Sequence, residues 1–176
     1  MRKLKITELN RLSRENFKQA KKIPLIVVLD NVRSLHNVGS VFRTSDAFLI
    51  EVVYLCGITA TPPHAEIHKT ALGAEDSVDW KYFENALDAV VELKQKAYHI
   101  VAIEQAENSI SLDKFIPQDK KYAFILGNEV KGVDQRVMDL CDSCIEIPQW
   151  GTKHSLNVSV AAGITIWEIV KKLSEI

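Results

Sequence analysis

Short runs of β-branched and aliphatic residues, spaced along the chain with helical patterns between them, limit what this sequence can fold into more than any other feature. The first run, Pro24 to Asp30 (PLIVVLD), is apolar without alternation, as in a parallel strand covered on both faces. Similar runs stand at Val52 to Cys56, Tyr98 to Ile103, Tyr122 to Gly127 and Cys144 to Pro148. Helical periodicity occupies Val38 to Phe48, Ala86 to Lys96, Val133 to Leu140 and Leu156 to Leu173. Strands alternating with helices predict an α/β fold with a mainly parallel sheet and helices on both faces. With 176 residues, 47% of them hydrophobic, the chain can bury one core of ordinary size. The expected organisation is a basic, helical N-terminal segment over residues 1–22 and a single domain over residues 23–176.

Charge is unevenly spread. The first 22 residues hold eight Lys or Arg and two Glu, a sum of +6, which leaves −7 for the remainder of a chain whose net charge is −1. An acidic body is a poor general surface for nucleic acid, whose phosphates are neutralised by Lys and Arg. Contact with a polyanion must therefore be local, and the N-terminal segment is one candidate; a solvated helix kept soluble by its charges is the other reading. No apolar run near the N-terminus is long enough for a signal-peptide core or a membrane span, and Cys56, Cys141 and Cys144 are too few for a disulfide framework. A cytoplasmic location is expected. The lone CxxC of Cys141 and Cys144 has no second ligand pair at comparable spacing, so no metal site is expected.

The last helical pattern is apolar on more than one side: Leu156, Val160, Ile164, Trp167 and Leu173 share one side, while Val158, Ile166 and Ile169 spill onto others. Such a helix must be covered on more than one side, either by its own domain or by a second copy, and a homodimer is the expectation. Residues 104–121 are polar and read as a surface connection with one turn of helix, and TPPHAEIHK reads as a loop entering a short helix.

Three segments at strand ends ask for chemistry. In residues 31–46 (NVRSLHNVGSVFRTSD), Asn37 reads as a helix N-cap, Gly39 allows another chain to approach, and Arg43 follows at i+4 from Gly39. That spacing aims a guanidinium out of the carboxyl end of the sheet, where ligands of open α/β sheets bind. By spacing alone, Arg43 reads equally as a surface residue. In LGNEVKGVD (residues 126–134), Gly127 and Gly132 bound a loop carrying Glu129, yet Val133 stands where a phosphate loop needs Lys, so a nucleotide-triphosphate site is not supported. In residues 147–163 (IPQWGTKHSLNVSVAAG), Ser155 and Asn157 bracket a helix start, where capping would account for both. HAEIH, with His64 and His68, lacks the Glu placement of a zinc protease, and there is neither a GxGxxG nor a nucleophile elbow.

Taken together, the three segments resemble the motifs of the SpoU branch of the SPOUT methyltransferases: N-x-G-x-x-x-R (Asn37, Gly39, Arg43), G-N-E-x-x-G (Gly127, Asn128, Glu129, Gly132) and S-L-N-V-S-V-A (Ser155 to Ala161). The resemblance covers about residues 24–172. It implies a C-terminal trefoil knot, where physical rules alone would draw a plain doubly wound sheet. It also implies an S-adenosylmethionine-dependent RNA ribose 2'-O-methyltransferase, with Gly127, Ile147, Leu156 and Ala102 in contact with the cofactor. Arg43 is implied to act on the ribose hydroxyl with the RNA phosphate, and Asn37, Glu129, Ser155 and Asn157 stand at the family's other functional positions, Asn37 and Glu129 orienting Arg43 and the loops and Ser155 and Asn157 lining the cofactor and RNA side, with capping and bracing of the knot as the other reading. Because a guanidinium has no acceptor lone pair, a bidentate grip on phosphate is an easier role for Arg43 than general base. Some relatives carry a separate RNA-binding domain, and this sequence shows only its basic N-terminal segment, so tRNA is expected ahead of rRNA. Trp150, Lys153 and His154 lie beside the third motif, where the indole either stacks on a base or packs against the knot. The competing expectation is a non-catalytic RNA-binding module that keeps the fold.

Overall fold

The computed structural model describes residues 1–118 and 121–174. Strands β1 (Ile23–Asp30), β2 (Ile50–Cys56), β3 (Asp79–Phe83), β4 (His99–Ile103), β5 (Ile110–Ser111), β6 (Tyr122–Leu126) and β7 (Ser143–Glu146) form one sheet in the order β3-β2-β1-β6-β4-β7-β5. Every pairing between these strands is parallel. Central β1 shows why its sequence does not alternate. Leu25, Val27 and Leu29 pack on one face against α2 (Leu35–Ala47), α3 (Ala65–Ala71) and α7 (Val158–Ser174). Ile26 and Val28 pack on the other against α5 (Ala86–Gln95) and α6 (Gln135–Met138). Both faces are dry, so both need apolar side chains.

Several expectations are corrected. The edge strand β3 is absent from the sequence reading because Asp79, Trp80, Lys81 and Tyr82 are all exposed and leave no buried pattern to detect. In the polar stretch from 104 to 121 an unexpected strand, β5, joins the sheet, followed by the expected single turn, in which Lys114 and Phe115 both donate backbone N–H groups to the Ser111 carbonyl. Leu112 and Phe115 are buried beneath it, and residues 119 and 120 lie outside the described residues. The expected helix from Val133 to Leu140 shrinks to α6, since Asp134 caps it and Val133 gives its N–H to Glu104. The last helix starts at Val158 rather than Leu156.

The N-terminal segment contains α1 (Arg14–Gln19), whose Phe17 is buried in the core cluster of the α2 face. Arg14 pairs with Asp76 of the short α4 (Ala74–Ser77) at 3.3 Å, and Lys18 with Asp79 at 2.5 Å. Two of the basic residues are thus spent on docking this segment to the domain. Among the described residues, no helix is long and apolar enough to cross a membrane.

Helices α2 and α7 lie side by side and run the same way. Asn157, just before α7, donates to Asn37 at the start of α2 over 3.1 Å, while Trp167 meets Phe48 just past the end of α2 with ring centroids 5.7 Å apart. Gly39 permits the crowding on the other side of α2: a Cβ there would stand 2.3 Å from the Ile67 carbonyl oxygen of α3.

Candidate active site

At the carboxyl ends of β4, β6 and β7 the chain forms an open cavity of about 710 Å³, within the range of pockets that hold cofactor-sized ligands. Two loops form most of its wall. The first, from Gly127 to Val133, is closed on itself by Asn128 and Gly132, which exchange backbone hydrogen bonds at 3.1 and 2.9 Å. Gly132 sits at φ +69°, a conformation that favours glycine. A Cβ on Gly127 would stand 2.1 Å from the Gly132 carbonyl carbon, so these two turns touch backbone to backbone. Asn128 holds the loop down, donating to the Asn31 carbonyl at 2.7 Å and accepting from Val130 and Lys131 N–H. The second loop brings Ile147, Gln149, His154, Ser155, Leu156 and Asn157 to the same cavity.

A network of polar groups joins three distant segments at one side of the cavity. Glu129 accepts from the backbone N–H groups of Arg33 (3.1 Å) and Ser34 (3.3 Å) and from the Asn37 amide (3.2 Å). Asn37 in turn accepts from Asn157, whose own oxygen receives the Ser159 N–H at 2.9 Å. Burial pushes the Glu129 carboxyl up, but donors from Arg33, its own backbone, Asn37 and Ser34 outweigh it and hold the group below the usual carboxylate range. Asn37 is not the N-cap that spacing suggested. Helix α2 begins earlier, with Ser34 accepting from the Asn37 N–H, and this leaves the Asn37 amide free to bridge Glu129 and Asn157.

Six of the expected residues therefore converge on the cavity lining, with Gly127, Ile147 and Leu156 beside Glu129, Ser155 and Asn157, the last of which also links to Asn37. Ala102 does not: it is fully buried, paired with Ile125 and Cys144, and β4 continues to Ile103, so Ile103 and Glu104 reach the cavity instead. Arg43 does not line the cavity either. Helix α2 runs away from the carboxyl edge, and six residues at 1.5 Å of rise put Arg43 about 9 Å beyond Asn37. The side chain is exposed and has no hydrogen-bond or ion-pair partner among the described residues.

Sequence reasoning missed Glu104 and Gln105. Glu104 accepts from Val133 N–H at 3.0 Å and from Gln105 N–H at 3.1 Å, while the Gln105 amide donates to the His154 carbonyl at 2.6 Å. This dipeptide at the end of β4 ties both cavity loops together. Its signal was position, directly after an apolar run, but its polarity made it read as part of a surface connection. His64 caps α3, accepting from Glu66 N–H, and His68 faces Glu75 at 2.6 Å, so neither reaches the cavity.

Residues 24–167 match the SpoU rRNA methylase family. The chain belongs to that family. Curated relatives include the 23S rRNA (guanosine-2'-O-)-methyltransferase of Nitrosomonas europaea, 34% identical over 151 residues, and the tRNA (guanosine(18)-2'-O)-methyltransferase of Aquifex aeolicus, 33% identical over 154 residues. Each match spans 86% of this chain, and 57% and 71% of the relatives respectively. Among solved structures, the A. aeolicus TrmH/SpoU tRNA modifying enzyme superposes with a TM-score of 0.81 at 27% identity, covering 92% of this chain and 83% of that one. The AdoMet-bound rRNA methyltransferase of Sinorhizobium meliloti gives 0.80 at 25% identity, covering 88% and 59%. SpoU methylases are S-adenosylmethionine-dependent, and the cavity suits that cofactor. Leu126, Ile147 and Leu156 offer apolar contact and Glu104 and Glu129 offer negative charge for a cation, while the glycines shape the wall, Gly127 packing on the Gly132 backbone and Gly132 on the Glu104 carboxylate.

Proposed function

We propose that this SpoU protein methylates a ribose 2'-hydroxyl of structured RNA, using S-adenosylmethionine held in the cavity between the Gly127–Val133 loop and the loop leading into α7. The observation that carries the proposal is the Asn157–Asn37–Glu129 network, which locks the three motif segments into one wall of that cavity. Bound S-adenosylmethionine supplies a methyl group on a sulfonium. The chain's part is alignment: an in-line approach of the ribose oxygen, held at near-attack distance, can account for about 7 kcal/mol or more of the barrier. Asn37, Glu129 and Asn157 fix the wall, Ser155 and Leu156 line it, and Glu104 with Gln105 sets the spacing of the two loops.

Arg43 enters through a second copy of the chain. The exposed stripe of α7, Val160, Ile164 and Trp167, follows Leu156 on the cavity rim, and α7 packs beside α2, the helix that carries the exposed Arg43. Trp167 alone is 55% exposed, and an apolar stripe of this kind at a helix pair is characteristic of an interface. A two-fold pair formed over this face brings Arg43 of each copy toward the other's cavity, where its fork grips the phosphate beside the reactive ribose and steadies the developing oxyanion. The trefoil knot and a cytoplasmic location, which suits three free thiols, belong to the same reading.

The test is transfer of labelled methyl from S-adenosylmethionine to bulk tRNA and, separately, to rRNA, followed by nuclease mapping. The names of the relatives divide between the two RNAs; we take tRNA as the first target. Label found on a base, or on no RNA at all, would overturn the proposal. Within an active enzyme, Asn37→Ala and Asn157→Ala are expected to couple. Each alone lowers kcat/KM, and the double variant loses less than the sum by roughly 0.5–3 kcal/mol, as residues sharing one network do. Strict additivity in that double-mutant cycle would mean that the network does not act as a unit.

A further inference from the structure

We infer that Trp150 is a stacking platform for a base of the RNA next to the ribose presented at the cavity, an inference that rests on the RNA-methyltransferase reading above. Trp150 is 92% exposed, so the alternative of packing against the knot is excluded in the isolated chain. Its loop is anchored at its far end. Gln149 on one side and His154 on the other line the cavity, and the His154 carbonyl is pinned by Gln105 at 2.6 Å. An indole ordinarily buries 150 to 250 Å², roughly, when it has a partner, and this one has none among the described residues. Trp167, the next most exposed indole, at least leans on Phe48.

The surroundings choose the occupant. Lys153 on the same loop, Lys131 on the opposite cavity loop and Arg33 beside Glu129 are all exposed, and their side chains have no hydrogen-bond or ion-pair partner among the described residues. Most other cations near the acidic body are spent: Lys81 and Lys96 on Glu92, Lys69 on Glu66, Arg136 on Asp134. A bare aromatic face flanked by unspent cations at the rim of a methyl-donor cavity matches a nucleobase with phosphates on either side.

Trp150→Ala and Trp150→Phe separate the readings. Trp150→Ala is expected to weaken binding of bulk tRNA, and to raise its KM in methyl transfer, by roughly 5- to 150-fold, the equivalent of about 1–3 kcal/mol for one stacked base. Trp150→Phe keeps a π-face and should retain most of the affinity. Calorimetric affinity for S-adenosylmethionine and sedimentation mass should match wild type in both, and RNA should quench the indole fluorescence of wild type far more than that of Trp150→Phe. Unchanged RNA affinity in Trp150→Ala, a lost affinity for S-adenosylmethionine, or a shift to monomer would each overturn the inference. RNA binding that depends on Trp150 in a wild type that transfers no methyl sinks the enzyme reading and keeps the platform; normal RNA KM in an active Trp150→Ala does the reverse.

Discussion

Replacing Arg43 with Lys is expected to lower methyl transfer at saturating S-adenosylmethionine by about 100- to 1,000-fold, the usual loss when one preorganised donor to a developing oxyanion is removed. The affinity for S-adenosylmethionine and the melting temperature should stay at wild-type values. The asymmetry follows from where the residue sits: Arg43 is exposed, forms no hydrogen bond or ion pair within the described residues, and stands outside the cavity lining. Nothing in the fold depends on it, so its loss can appear only in the reaction. Lys keeps the charge and loses the planar fork, which is why the conservative variant is the informative one. Turnover of Arg43→Lys near that of wild type would rule out both a phosphate clamp and any other use of the guanidinium.

Gly127→Ala is expected to cost about 1–3 kcal/mol of stability, as overpacking does, and to abolish detectable binding of S-adenosylmethionine in calorimetry. The added methyl would stand 2.1 Å from the Gly132 carbonyl carbon and 2.2 Å from the Val133 nitrogen. Both obstacles are backbone, so no rotamer change relieves the clash. Either β6 or the Gly127–Val133 loop must move, and displacements near 1 Å are enough to cost about 100-fold in a positioned reaction. Full affinity together with an unchanged melting curve would contradict the close approach of the two turns. The variant also offers a test of where Arg43 acts. Mixed with Arg43→Lys and allowed to exchange, two inactive proteins should recover about one quarter of wild-type activity if Arg43 serves the other copy of a pair, because half of the pairs then hold one intact site. They should recover none if it serves its own cavity.

Much of the architecture was legible because burial on both faces leaves a mark that needs no partner to interpret. The apolar run of β1, with neighbouring residues facing opposite layers, predicted a covered parallel strand, and the helical periods between strands predicted the layers. Exposed elements left no such mark: β3 presents four solvated residues and β5 has only two, so both were invisible. Local rules also misplaced ends by a few residues. Asn37 has the chemistry of an N-cap, but Ser34 takes that role three residues earlier, and the difference converts Asn37 from a local cap into a bridge between remote segments.

The sequence by itself determined the parallel α/β class, the three polar segments at strand or helix ends, and the glycines that let backbones touch, because each of these is a property of residues within one turn or one strand of each other. Only the tertiary structure decided that Glu129 would meet Arg33, Ser34 and Asn37, that Glu104 rather than Ala102 would reach the cavity, and that Arg43 would stand away from it while Trp150 stood bare at its rim. Those outcomes depend on how far a strand extends, which way a helix runs, and which loops share a sheet edge. They are distances between residues as many as 96 positions apart, and no pattern within a short window of sequence encodes them.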